Sequence, residues 1–189
     1  MNKKAKKKNP LKLKACVVAL SLWGLSAVLA LSSSPVMAAE TASHTAQEQE
    51  AIALFKKGGL TLYNLHRYEE ALAADNDLIT RFGNSQDTTI QEQVAKALFN
   101  KGGALYNLHR YEEALAAYND LITRFGNSQD TTIQEEVAKA LLNKGFDLYN
   151  LHRYEEAMAA DHDLFTRFGN SQDPDIQQTW LQDLLVRNF

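Results

Sequence analysis

In the middle of the chain, apolar and small residues return at spacings of four and three: Val94, Leu98, Gly102, Leu105 and Leu108. Those positions make one face of an α-helix. Tyr111, Ala114 with Leu115, Tyr118, Leu121 with Ile122, and Phe125 make a second. Only Asn107-Leu-His-Arg110 separates them, so the two helices must fold back as a hairpin. Phe125-Gly126 closes the second helix, and glycine is expected there in the left-handed conformation that often follows a last turn. Asn127-Ser-Gln-Asp130 is a polar turn whose aspartate is placed to cap the next helix. The same site later in the chain is Asp173, followed by Pro174, a residue favoured at the first helical position.

This hairpin is written three times at a 43-residue period. Tyr63-Asn-Leu-His-Arg-Tyr-Glu-Glu-Ala recurs at Tyr106 and at Tyr149, and residues 63–98 differ from 106–141 only at Asp75/Tyr118 and Gln93/Glu136. A period of this length marks a repeat array, in which each unit buries its apolar face against its neighbours. Helices are expected near 46–65, 68–82, 88–108, 111–125, 131–151, 154–168 and 174–187. One irregularity stands out. Ala53–Tyr63 is one residue longer than its counterpart Ala97–Tyr106. An extra residue turns a helical face by about 100°, so the first helix is expected to stay continuous with the residues ahead of the insertion re-registered.

The middle copy reads Leu98-x2-Lys101-Gly102-x2-Leu105…Ala114-x3-Tyr118, and Arg67-Tyr-Glu-Glu-Ala71 returns at 110–114 and 153–157. This resembles the tetratricopeptide repeat family. The resemblance covers 46–189 and implies an all-α, right-handed α-solenoid of three helical hairpins, near 46–87, 88–130 and 131–173, plus a capping helix at 174–187. Residues 39–45 are left as a tail. The chain departs from the family in its longer unit and in lacking the family's proline. The large apolar site filled by Tyr118 also holds Asp75 and Asp161 in the outer copies. A buried, unpaired carboxylate costs several kcal/mol, so those two positions are expected to be partly solvated or loosely packed.

Ahead of the repeats stands a different kind of segment. Seven lysines between Lys3 and Lys14 precede an apolar stretch, Ala15–Leu31, and then Val36-Met37-Ala38. These are the three parts of a secretory signal peptide, with cleavage expected after Ala38. The chain is then secreted across the inner membrane, most simply to a periplasm. An uncleaved signal anchor tethering it to the membrane is the alternative, since about 17 apolar residues is the lower limit for a span. Cleavage would remove seven of the 20 basic residues, none of the 23 acidic ones and the single cysteine, Cys16. The remaining body is strongly acidic, which argues against a nucleic-acid partner.

In the resembled family the first helix of each pair lines the concave side. The stripe expected there comprises Lys56, Tyr63, Asn64, Lys96, Asn100, Tyr106, Asn107, Lys139, Asn143, Tyr149 and Asn150. Tyrosines and amides at helical spacing suit a peptide groove; the competing reading is a solvated face with tyrosines sealing the helix pairs. Lys56, Asn100 and Lys139 also resemble part of a carboxylate clamp, with Leu60 and Asn143 at sites where that clamp has other polar groups. His66, His109 and His152 share the hairpin turn. Metal ligands must converge within about 2 Å of the ion, and stacked turns are held apart, so these histidines are assigned to the turn.

No phosphate loop, nucleophile elbow or metalloprotease motif occurs. The function expected is therefore an exported, non-enzymatic scaffold, without cofactor or metal, that binds a protein or peptide. The alternative is a self-assembling structural repeat. Its homodimer contact would be the C-terminal helix, where Leu181, Leu185, Val186 and Phe189 leave a second apolar strip beside Ile176, Trp180 and Leu184.

Overall fold

The structure, a computed structural model, describes the backbone from Pro35 to Arg187 and the side chains from Ala42 to Leu181. The leader expected over 1–38 lies outside the described residues apart from its last four. Among the described residues the chain is all-α, and no helix is long and apolar enough to cross a membrane. The chain divides into two units at Thr45/Ala46, and the repeats lie in the second.

Three helical hairpins follow one another. The first helix of the first pair is α1 (Pro35–Leu54), continued through a π-helical segment (Phe55–Leu60) into α2 (Thr61–Asn64). Its partner is α3 (Tyr68–Phe82). The second pair is α4 (Thr88–Asn107) with α5 (Tyr111–Phe125), and the third is α6 (Thr131–Asn150) with α7 (Tyr154–Phe168). A last helix, α8 (Pro174–Arg187), packs on α6 and α7. Each first helix packs on the first helix before it and on the preceding second helix: α4 on α3 and the π segment, α6 on α4 and α5. One apolar core therefore runs along the array, through Leu78, Ile90, Leu98, Tyr118, Leu121, Ile133, Leu141, Leu164 and Ile176. The expected 39–45 tail is helical instead, since α1 begins at Pro35.

The π segment is where the extra residue went. Thr61 N–H donates to Lys56 O, five residues back, and the Thr61 hydroxyl donates to the same carbonyl at 2.6 Å. A π turn admits one more residue than an α turn while keeping the helix continuous. The widened turn itself takes up the register difference, which corrects the expectation that residues ahead of it re-register. Gly58 and Gly59 are both buried against α3: a Cβ on either would come within 2.2 Å of Ala74 or Asp75.

The hairpin turns carry the left-handed residues, and these are histidines. His66, His109 and His152 have φ of 57°, 60° and 59°. In the middle copy His109 N–H donates to Tyr106 O and Arg110 N–H to Leu105 O, both at 2.9 Å, the paired closure of a Schellman motif. Gly126, by contrast, is right-handed at φ −59°. This corrects the expectation for the second helices. Glycine serves there because a Cβ would lie 2.5 Å from Ile122 O and 2.6 Å from an Arg167 nitrogen. The aspartate caps form as the pattern indicates: Asp87, Asp130 and Asp173 accept from Ile90, Ile133 and Ile176 N–H at 2.9, 3.0 and 3.1 Å.

Candidate functional site: the face of the first helices

The tyrosine stripe links repeats. The Tyr63 ring stands edge-on to Tyr68, 5.5 Å between centroids, and its hydroxyl accepts from Asn107 Nδ2 of the next unit at 3.3 Å. Gly103 makes room: a Cβ there would lie 2.9 Å from Tyr63 Oη. Tyr106 repeats this with Tyr111 at 5.3 Å and Asn150 Nδ2 at 3.3 Å. Burial raises the Tyr63 phenol above its usual pKa, with the Tyr68 hydroxyl adding to the rise and Asn107 opposing it. Tyr149 keeps the edge-on partner, Tyr154, but is 54 % exposed. Asn64, at the other end of the series, is exposed.

The lysines and remaining amides have separate surroundings rather than one shared polar cup. Lys56 is exposed. Lys96 pairs with Glu92 at 3.5 Å, and Lys139 with Glu136 and Glu135 at 3.1 and 3.8 Å. Asn143 Nδ2 donates to the Tyr118 hydroxyl at 3.4 Å, and burial pushes that phenol's pKa up. Asn100 points its Nδ2 inward, where it is buried without a hydrogen-bond partner near the Gly59 backbone.

Beside Asn100 sits Asp75. It is 1 % exposed, and neither carboxylate oxygen has a hydrogen-bond partner. At Asp75 this overturns the first of the two expected alternatives, a partly solvated position; Asp161, its counterpart in the third unit, is partly exposed. Burial raises Asp75 to about 8, opposed by the Lys101 charge. Asp147 is also buried and is raised to about 7 by the same cause. Both acids hold their protons at neutral pH more readily than a surface carboxyl, and Asp75 donates no hydrogen bond that would repay its burial.

A groove of about 500 Å³ opens on this face between α4, α6 and α8. Phe99 and Leu142 supply its apolar wall; Lys139, Asn143, Asp175, Gln178 and Thr179 supply polar groups. Its volume and mixed lining suit one or two side chains of a bound segment. Sequence reasoning passes over the α8 residues because it treats α8 as a cap. The 43-residue step from Thr132, Glu135 and Glu136 leads to Asp175, Gln178 and Thr179 and would have found them.

Glu135, Asp173 and Asp175 bring carboxylate oxygens within 4.8 Å of one another at the groove's end. Lys139 faces Glu135, and Asp173 caps α8, so both carboxylates already have work in the fold. Each turn histidine is likewise occupied: Nδ1 meets the Tyr68, Tyr111 or Tyr154 hydroxyl at 2.6, 2.7 and 2.7 Å. No protein family, curated protein or solved structure matches the chain.

Proposed function

We propose that the chain is an exported, non-enzymatic scaffold of tetratricopeptide type that holds an extended segment of a protein partner on the first-helix face. The observation that carries this reading is the groove between α4, α6 and α8, where two apolar side chains stand among an ammonium, a carboxylate and amide groups. Such a lining gives a peptide an apolar anchor point and polar groups for its backbone. The basic, apolar and small-residue parts of 1–38 support export.

The test is capture from envelope extract by the chain, compared with a Leu142→Ala, Gln178→Arg variant. The expected result is a partner recovered at least tenfold less by the variant, with unchanged helical circular dichroism. Equal recovery of every captured protein overturns the groove assignment.

A further inference from the structure

The contacts that join one repeat to the next occur twice inside the chain, and each leaves one half open at either end of the array. Three of them can be followed residue by residue. Leu115 is buried in a cluster with Leu148 and Ala157 of the following unit, with Leu151 against it. Leu72 is its buried counterpart one unit earlier. In the third unit this position is Met158, 70 % exposed. The receiving leucine is partly buried at Leu108 and Leu151, but Leu65, in the first unit, is 59 % exposed.

The polar links behave alike. Arg110 reaches Glu69 at 3.7 Å and Arg153 reaches Glu112 at 3.0 Å, each from one unit to the previous one. Among the described residues Arg67 pairs only with Glu70, three residues on in its own unit, and Glu155 has no ion pair. The Tyr63–Asn107 and Tyr106–Asn150 bonds leave Tyr149 free at one end and Asn64 at the other. The open halves are complementary: Met158, Glu155 and Tyr149 on the third unit, against Leu65, Arg67 and Asn64 on the first.

We propose that a second copy of this chain docks head to tail on the third hairpin, with α8 as a displaceable cap over that site. The occupant is set by continuity with the interface already built twice in the chain, whose two halves are nearly the same residues. An incoming first helix needs the place α8 holds, since Pro174–Arg187 stands one 43-residue step beyond Thr131–Lys144. The cap is a poorer occupant than a repeat helix. Ile176 copies the buried Ile133, but Trp180 buries its indole N–H without a partner, and exposed Leu181 stands where α6 has buried Ala138. A contact in which two different surfaces meet is heterologous, and it extends into open chains unless one end is blocked. Seating a second copy would carry Asp175, Gln178 and Thr179 of α8 away from the groove, so a bound segment there and this association exclude one another, and each is tested by its own variants.

Light scattering across a concentration series tests it with Met158→Glu and Leu65→Glu. Both sites are exposed, so neither change should lower the helical signal. The parent is expected to associate beyond a dimer as concentration rises. Each variant alone should remain a monomer, and an equimolar mixture should stop at a dimer, because it joins one intact half from each. Association by either variant alone overturns the proposal and points to a symmetric contact, for instance through α8. Weakening the cap by Ile176→Ala, or by Asp173→Ala at its N-cap, should lower the concentration needed for association about tenfold. An unchanged midpoint in both overturns displacement of α8, and strict monomers throughout overturn the whole.

Discussion

Asn107 Nδ2 lies 3.3 Å from the Tyr63 hydroxyl of the unit before it, and Asn150 makes the same bond to Tyr106. The tyrosines of the first-helix face thus join consecutive hairpins, and only the last keeps most of its ring exposed. Tyr63→Ala or Tyr106→Ala removes a packed ring and a hydrogen bond, and each should cost about 2 kcal/mol or more. Tyr149→Ala should cost less than about 1 kcal/mol. Urea unfolding of the three single variants measures this. Equal costs would show that the inter-repeat bond contributes nothing.

Asp75→Tyr should stabilise the protein. Tyr118 shows what the site is built for: its ring lies against Gly102 and its hydroxyl accepts from Asn143. Gly59 and Asn100 stand one 43-residue step earlier, beside Asp75. Replacing an unpaired buried carboxyl with that ring should gain about 2 kcal/mol near pH 8. A variant that melts below the parent would mean that the π turn has closed the space for the ring.

Stability should fall as pH rises from about 5 to about 9. Asp75 and Asp147 have folded pKa values near 8 and 7, above the ordinary aspartate value of 3.8. Between those limits the folded state binds more protons than the unfolded one, so the stabilising contribution is complete below the unfolded pKa. It is lost as pH rises through 7 and 8. Glu70, Glu113 and Glu156, each lowered by its arginine three residues before, act in the opposite sense at acid pH, weakly because they are exposed. Melting temperature against pH checks this. An Asp75→Asn, Asp147→Asn variant should flatten the alkaline limb, and a parent whose stability holds level to pH 9 would refute the assignment.

Deleting Leu60 should convert the π segment to an ordinary α turn. Leu60 is 44 % exposed, so little packing is lost, and the shortened stretch has the length of Ala97–Tyr106. The melting temperature is expected to hold or to rise by a few degrees, a gain of about 1 kcal/mol at most. A drop of 10 °C or more would show that the two-glycine face against α3 depends on the extra residue.

The helices were readable in the chain because their causes are local. Apolar spacing places α3, α5 and α7 at their observed bounds, and each aspartate before α4, α6 and α8 caps the amide three residues on. The repeat period likewise carried the order of hairpins, since identical units bury identical faces. Local pattern could not say which neighbour each face would meet. The same spacing that placed Tyr63, Tyr106 and Tyr149 on one stripe left open whether they bind a partner or the next repeat; Asn107 and Asn150, 44 residues on, answered for the first two. Local pattern makes the glycine after Phe125 a left-handed cap, yet the reason for it is crowding by Ile122 and Arg167, the latter 41 residues away. For the first-unit aspartate, local pattern leaves a partly solvated or a loosely packed site, because solitary carboxylates shun apolar cores. Packing by the π segment and α4 buried it all the same. A residue's conformation follows from its near neighbours in the chain, whereas its burial and partners follow from which distant segments the completed stack lays against it.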